Sequence, residues 1–125
     1  MVILEMIATA ETPEILLDQS KGLIRIKGRS LAQNSVEFFR PVMSWIIDYF
    51  KDPQPHTSIE LDLEYFNSTA NKLIKDLIVR IKNITPEGKT VSATWFYDED
   101  DDDILQQGKE IEKFSGIDFK YVAKA

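Results

Sequence analysis

Apolar and acidic side chains alternate along residues 58–65, a pattern typical of a β-strand with one buried face and one wet face. The apolar positions are Ile59, Leu61, Leu63 and Tyr65, and the acidic positions are Glu60, Asp62 and Glu64. Directly afterwards the spacing of apolar residues becomes helical, which predicts an amphipathic helix over about residues 69–84. Its apolar positions are Leu73, Ile74, Leu77, Ile78 and Ile81. The chain therefore passes from a strand to a helix at Asn67, Ser68 and Thr69.

The other elements follow from the same patterns. Short strands are expected within residues 2–9, 14–18 and 23–27, with a turn at residues 19–22 and a polar connector over residues 28–33. Asn34 and Glu37 have the spacing of a capping box, and the helix after them contains Pro41. The residues expected in its buried stripe are Phe39, Met43, Ile46, Ile47 and Phe50. A strand over residues 90–97, a helix over 104–114 and a strand over 118–122 complete the chain.

The alternation of strands and helices predicts βαβ crossovers and a mixed, partly parallel sheet. Parallel strands covered on both faces are usually apolar throughout, whereas the strand at Ile59 alternates. The helices should therefore cover mainly one face of the sheet. We expect one α/β domain over residues 1–125, since this length is typical of a single domain.

Composition removes several classes of function. The net charge of −6 argues against a nucleic-acid-binding protein, which would carry a basic patch. The chain has no cysteine, so disulfides and thiolate chemistry are excluded. The first residues lack a basic region and a cleavage site, and no apolar run is long enough to cross a membrane. A soluble cytoplasmic protein is the expectation.

The strand-to-helix junction is the best candidate for a functional site. The amino end of a helix presents unpaired backbone N–H groups and the positive end of the helix dipole. A phosphate on Ser68 would be stabilised there, which suggests a phosphorylation switch. The alternative is that the Ser68 hydroxyl simply caps the helix, as serine often does.

The unbroken acidic run Asp98–Asp103 is a candidate for divalent-metal binding and, through it, for a metal-dependent enzyme. A calcium-binding EF-hand loop that began at Asp98 would need glycine and glutamate where Asp103 and Lys109 stand. The run is therefore interpreted as acids that complement the dipole of the following helix. His56, the single histidine, is placed in a proline-flanked loop and has no nucleophile motif beside it. No catalytic residue, metal or cofactor is expected.

Three consecutive aromatic residues end the strand before the acidic run. In a strand, Trp95 and Tyr97 point to one face and Phe96 to the other. Most such aromatics belong to a core. At least one should lie on the sparsely covered face or its rim, where it would anchor a partner.

Taken together, the motifs resemble those of the SiaC-type regulatory phosphoproteins, a bacterial family similar to anti-sigma-factor antagonists of the STAS fold. The resemblance covers nearly the whole chain. Its pieces are Thr12-Pro13, Gly28-x-Ser30, Asn34-Ser35-x-Glu37-Phe38-Phe39, Leu61-Asp62-Leu63, Tyr65-Phe66-Asn67-Ser68-Thr69 and Trp95-x-Tyr97-Asp98.

The resemblance implies a STAS-like fold and a switch without enzymatic activity. It implies phosphorylation of Ser68, with Thr69 as the alternative, by a Ser/Thr kinase of the partner-switching type, and dephosphorylation by a PP2C-type phosphatase. The unphosphorylated form would bind and activate a diguanylate cyclase in cyclic-di-GMP signalling and biofilm regulation. The expected contact residues are Asn67, Ser68, Thr69, Trp95 and Tyr97. The alternative function is an anti-sigma-factor antagonist in a transcriptional partner-switching system.

Overall fold

A computed structural model describes residues 3–31 and 35–125. Within these ranges the chain forms six strands and three helices, each close to its predicted position. The strands are β1 Ile3–Met6, β2 Glu14–Asp18, β3 Leu23–Ser30, β4 His56–Phe66, β5 Thr90–Asp98 and β6 Phe119–Lys124. The helices are α1 Ser35–Tyr49, α2 Ser68–Ile84 and α3 Asp102–Ser115.

The strands lie in one sheet in the order of the sequence, β1 to β6. β1, β2 and β3 are antiparallel hairpin neighbours, whereas β3, β4, β5 and β6 are parallel. Each parallel pair is joined through one helix, and such crossovers are nearly always right-handed. Three right-handed crossovers that advance in one direction place α1, α2 and α3 on the same face of the sheet. The predicted mixed sheet with one-sided helices is confirmed.

The two faces of β4 show this asymmetry directly. Ile59, Leu61 and Leu63 are buried under the helices. On the opposite face, Glu60 and Asp62 are half-buried, and they form ion pairs with residues of β3 and β6 respectively. Arg25 Nε lies 2.8 Å from Glu60 Oε1, and Lys124 Nζ lies 2.5 Å from Asp62 Oδ1. The open face is thus covered by paired charges instead of a second helical layer.

The buried stripe of α1 differs from the predicted one. Phe39, Ile46 and Phe50 are buried as expected, but Met43 and Ile47 are only half-buried. Their places in the core are taken by Val42, Trp45 and Tyr49. The stripe is therefore rotated by about one residue, since Met43 and Ile47 line a groove beside α2. The predicted capping box involves Asn34, which lies outside the described residues.

β3 is longer than predicted, and its extension changes the direction of one side chain in β4. Gly28, Arg29 and Ser30 continue the strand, in place of the predicted connector. Gly28 pairs with Leu63 and Arg29 pairs with Tyr65, so Glu64 has no counterpart on β3. This bulge reverses the alternation. Tyr65, predicted on the buried side, is 53% exposed, and Phe66 points into the core instead.

α3 is attached to the sheet through Trp95 and Tyr121. Gly108 lies so close to Trp95 that a Cβ atom on it would be 2.6 Å from the indole ring. The Trp95 indole N–H donates to the carbonyl oxygen of Ile104 at 3.1 Å. The Tyr121 hydroxyl donates to Glu112 Oε1 at 2.5 Å. Partial burial is the main cause that raises the pKa of Tyr121 above its ordinary value, and the hydrogen bond to Glu112 is the second cause. The phenol therefore stays neutral.

Candidate functional site: the junction between β4 and α2

The junction lies at the edge of the sheet where the parallel strands end. β3, β4 and β5 end there at Ser30, Phe66 and Asp98 respectively. The Asn67 backbone N–H donates to the Ser30 carbonyl oxygen at 3.1 Å, which ties the junction to the neighbouring strand. In open α/β sheets this edge is the usual place for functional groups. The backbone of the junction is consequently held against the end of β3 at Asn67.

Asn67, and not Ser68, is the N-cap of α2. Its backbone is extended (φ −75°, ψ 174°), and its Oδ1 accepts a hydrogen bond from the Ala70 N–H at 2.9 Å. Its carbonyl oxygen accepts from the Asn71 N–H at 2.9 Å. The predicted alternative in which Ser68 caps the helix is therefore wrong. Asparagine caps at least as well as serine and stands one residue earlier, so Ser68 becomes the first helical residue.

The Ser68 and Thr69 side chains are both exposed. Asn67 already uses the Ala70 N–H, whereas the Ser68 and Thr69 N–H groups have no acceptor within the helix. The first turn of α2 carries no acidic residue, and Lys72 follows one turn after Ser68. The dipole, the two N–H groups and this lysine all favour negative charge. A phosphate on either hydroxyl would thus be accommodated without opening the core.

Trp95, predicted as a contact residue, is fully buried, which corrects that expectation. It lies between Phe66 and Phe119, at centroid distances of 6.2 Å from each ring, so its side chain is enclosed by the core. Tyr97 is half-buried and packs against the core. The exposed aromatic closest in sequence to the junction is Tyr65. The sequence feature that indicates an exposed aromatic here is the consecutive pair Tyr65 and Phe66, because a regular strand cannot bury two successive side chains on one face.

The acidic run lies at the same edge, after β5. Asp101 caps α3, since its Oδ1 accepts from the Ile104 N–H at 3.0 Å. Asp102 and Asp103 lie in the first turn of α3, which agrees with the interpretation of these acids as partners of the helix dipole. Within residues 3–31 and 35–125, no three histidine or acidic side chains are grouped so that they could hold a metal ion. The second half of the run, Asp101–Asp103, therefore has a structural explanation.

His56 is the first residue of β4, not part of a loop as predicted. Its Nδ1 lies 2.7 Å from Thr90 Oγ1 and its Nε2 lies 3.0 Å from Ser92 Oγ. These residues are near the starts of β4 and β5, at the edge opposite Ser68. The histidine is consequently remote from the junction.

In the described part of the chain, no helix has the length and apolarity that crossing a membrane requires.

The position of the cap can be tested by stability measurements. Replacing Asn67 with alanine should lower the free energy of unfolding by about 0.5–2 kcal/mol, because the Ala70 N–H loses its acceptor. Replacing Ser68 with alanine should change it by less than about 0.5 kcal/mol, since the side chain is exposed. Urea titration of both variants checks this expectation. A larger loss for Ser68→Ala than for Asn67→Ala would restore serine as the cap.

Comparison with known proteins shows the family of the chain. The model of the SiaC family of regulatory phosphoproteins matches residues 6–124. An uncharacterised protein of Pseudomonas aeruginosa strain UCBPP-PA14 is 27% identical over 111 residues, which cover 89% of this chain and 88% of that protein.

Two solved structures extend the similarity to the fold. The crystal structure of apo-SiaC from Pseudomonas aeruginosa matches with a TM-score of 0.89 and 27% identity, over 98% of this chain and 100% of that chain. A chain in the crystal structure of diguanylate cyclase SiaD in complex with its activator SiaC, from the same organism, has a TM-score of 0.89 and 26% identity. That match covers 97% of this chain and 99% of the other. The chain belongs to the SiaC family of regulatory phosphoproteins.

Proposed function

We propose that this protein is a phosphorylation-controlled activator of a diguanylate cyclase. The unphosphorylated chain binds the cyclase and raises its activity. A Ser/Thr kinase of the partner-switching type phosphorylates Ser68, which ends the interaction, and a PP2C-type phosphatase restores it. Residues 1–125 act as one regulatory domain, without catalytic activity of their own, in the cytoplasm.

The observation that carries this proposal is the state of the hydroxyl groups at the junction. Asn67 performs the capping, so the exposed hydroxyls of Ser68 and Thr69 are not required for folding. A kinase can reach either one without unwinding the helix. The relative SiaC is the activator of the cyclase SiaD in a solved complex, and this chain shares its fold and about a quarter of its sequence. That complex favours a cyclase over an anti-sigma factor as the partner.

The phosphate acts through charge and size. It adds about −1.5 to −2 charges at neutral pH, and the amino end of α2 stabilises them within the protein itself. A partner that covers the junction has to displace the water around this dianion. The exposed carboxylate of Glu64 adds negative charge nearby in the chain, whereas that of Asp62 is compensated by Lys124. Ser68 is preferred over Thr69 because the resemblance to the family places the phosphorylated hydroxyl directly after Asn67.

The test is reconstitution from purified components. Each diguanylate cyclase of the source organism is incubated with GTP and with this chain, either untreated or stoichiometrically phosphorylated by the kinase. One cyclase should become more active with the untreated chain only, and mass spectrometry should locate the phosphate on Ser68. If the untreated chain activates none of the cyclases, the proposed function is overturned. Phosphate on Thr69 alone would move the switch by one residue.

A further inference from the structure

The face of the sheet opposite the helices is open, and its side chains form rows across the strands. The strand register carries one such row through every strand, and all of its side chains are exposed or half-buried. From β1 to β6, the row consists of Glu5, Leu16, Arg25, Glu60, Thr94 and Lys120. Side chains that stand opposite each other in a ladder share a face. The row is therefore a cross-section of the open face.

The charges of this row change sign when the order of the strands is reversed. Glu5 lies at one end and Lys120 at the other, with the cation of Arg25 and the anion of Glu60 between them. Within the bounds of β1, β2 and β6, the charged side chains of the open face are acidic on the first two strands and basic on the last. They are Glu5, Glu14 and Asp18 on one side and Lys120 and Lys124 on the other. The face thus has an acidic edge and a basic edge about 24 Å apart, the width of five strand spacings.

The charges at the two ends of the row differ from the central ones in having no partner. The central charges form two ion pairs, Arg25–Glu60 and Lys124–Asp62. Glu5 and Lys120 are exposed, and neither forms an ion pair with another described residue. They lie too far apart to meet within one chain. A partner surface of a single sign would suit one edge and repel the other, whereas a second copy in reversed order suits both.

We propose that the open faces of two copies pack against each other around a two-fold axis that is parallel to the strands and lies midway between β3 and β4. This axis places β1 over β6 of the second copy, β2 over β5 and β3 over β4. Glu5 then faces Lys120 of the second copy, and Arg25 faces Glu60. A two-fold axis across the strands would instead place Glu5 over Glu5 and Lys120 over Lys120, which like-charge repulsion disfavours.

The open face has the size of a weak dimer interface. Six strands about 4.8 Å apart and about 20 Å long cover roughly 600 Å² per copy, and the sum for two copies is at the low end for specific interfaces. Apolar side chains lie among the charges and are exposed or half-buried; they are Ile3, Leu16, Leu23, Phe96 and Val122. The angle of about 30° between packed sheets shifts the edges by several ångströms, which the long side chains of Glu5 and Lys120 can span. We therefore expect a dissociation constant in the micromolar range.

This dimer leaves both strand-to-helix junctions uncovered. The helices of both copies face outward, because the two sheets meet through the faces without helices. The strands of the two copies point to the same end, since the axis is parallel to them, so both Ser68 residues lie at that end. The inference does not depend on the proposed function. A chain that dimerises in this way but activates no cyclase would contradict only the proposed function.

Sedimentation equilibrium of the full chain, from about 1 to 500 µM, tests the dimer. The original chain should show a monomer–dimer equilibrium. Glu5→Lys and Lys120→Glu should each weaken the dimer by about tenfold or more, because symmetry makes each change create two like-charge contacts. An equal mixture of these two variants should associate about as tightly as the original chain. In the mixed dimer, the lysine introduced at position 5 faces the glutamate introduced at position 120, and Lys120 of the first variant faces Glu5 of the second.

The matched controls are Glu110→Lys and Lys109→Glu, which make the same charge changes at exposed positions of α3, away from the open face. Their dimer affinity should stay within about twofold of the original, as for substitutions outside an interface. Circular dichroism and thermal unfolding should show that Glu5→Lys and Lys120→Glu remain folded, since both sites are exposed. A chain that stays monomeric throughout, a dimer equally stable in both edge variants, or a mixture no tighter than either variant alone would each overturn the open-face dimer.

Discussion

The Ser68→Ala variant should activate the cyclase to the same extent with and without the kinase. It keeps the Asn67 cap but has no hydroxyl at position 68 to phosphorylate. The Ser68→Asp variant should bind at least about tenfold more weakly, since it places a permanent negative charge beside the contact. Its effect should be smaller than that of the phosphate, because a carboxylate carries one charge and fewer acceptor oxygens. Calorimetric titration of the cyclase, together with product formation from GTP, measures both.

Thr69→Ala is the matched control for the serine variants. It removes the neighbouring exposed hydroxyl from the same helical turn. It should remain a substrate of the kinase and lose activation after phosphorylation, as the original chain does. The opposite pattern, with Thr69→Ala constitutive and Ser68→Ala still switchable, would assign the switch to Thr69. Unchanged affinity after stoichiometric phosphorylation of Ser68 would contradict the mechanism itself.

The layout of the sheet could be predicted from the sequence because it depends on patterns that local residues determine. Alternation of apolar and acidic residues in β4 indicated which face carries the helices, and the structure places Ile59, Leu61 and Leu63 under them. The order of strands and helices then left few possible sheet topologies, since crossovers between parallel strands are nearly always right-handed. The location of the junction followed in the same way, from the point where a period of two becomes a helical period.

The details at the junction could not be predicted, because they depend on neighbouring strands. The bulge opposite Gly28 and Arg29 arises from the pairing of β3 with β4, and it decides that Tyr65 faces outward. The burial of Trp95 depends on Gly108, which lets α3 approach the indole ring. The periodicity of apolar residues within one segment gives no information about either of these contacts between segments. An aromatic residue near a functional edge thus cannot be assigned to a core or a surface from its own strand.

The rotation of the α1 stripe has a similar origin. Helical spacing allowed both Met43 and Val42 as core residues, and the choice depends on where α2 lies beside α1. Met43 faces the groove and Val42 faces the sheet. The half-buried wall of the groove is as apolar as the core itself. Sequence patterns therefore merge the core with the groove, and only the structure separates them.

Replacing Trp95 with alanine should lower the free energy of unfolding by about 3–5 kcal/mol, a large share of the stability of a domain of this size. The indole ring is fully buried, packs edge-to-face with Phe66, stacks with Phe119, and fills the space above Gly108. Alanine would leave a cavity that the β-sheet and α3 cannot close. Trp95→Phe should lose less, since an aromatic ring still occupies most of that space. Urea titration, followed by circular dichroism, measures both changes.

The matched control is Tyr65→Ala, at the aromatic position that the bulge turns outward. Its stability should stay within about 0.5 kcal/mol of the original, as for most exposed positions. Measured at a temperature where the Trp95 variants remain folded, cyclase affinity should be retained in Trp95→Phe. A Trp95→Phe variant with full stability but strongly reduced affinity would return Trp95 to the contact surface. It would require that α3 moves away from the sheet when the partner binds, because in this structure Gly108 and Ile104 enclose the indole ring.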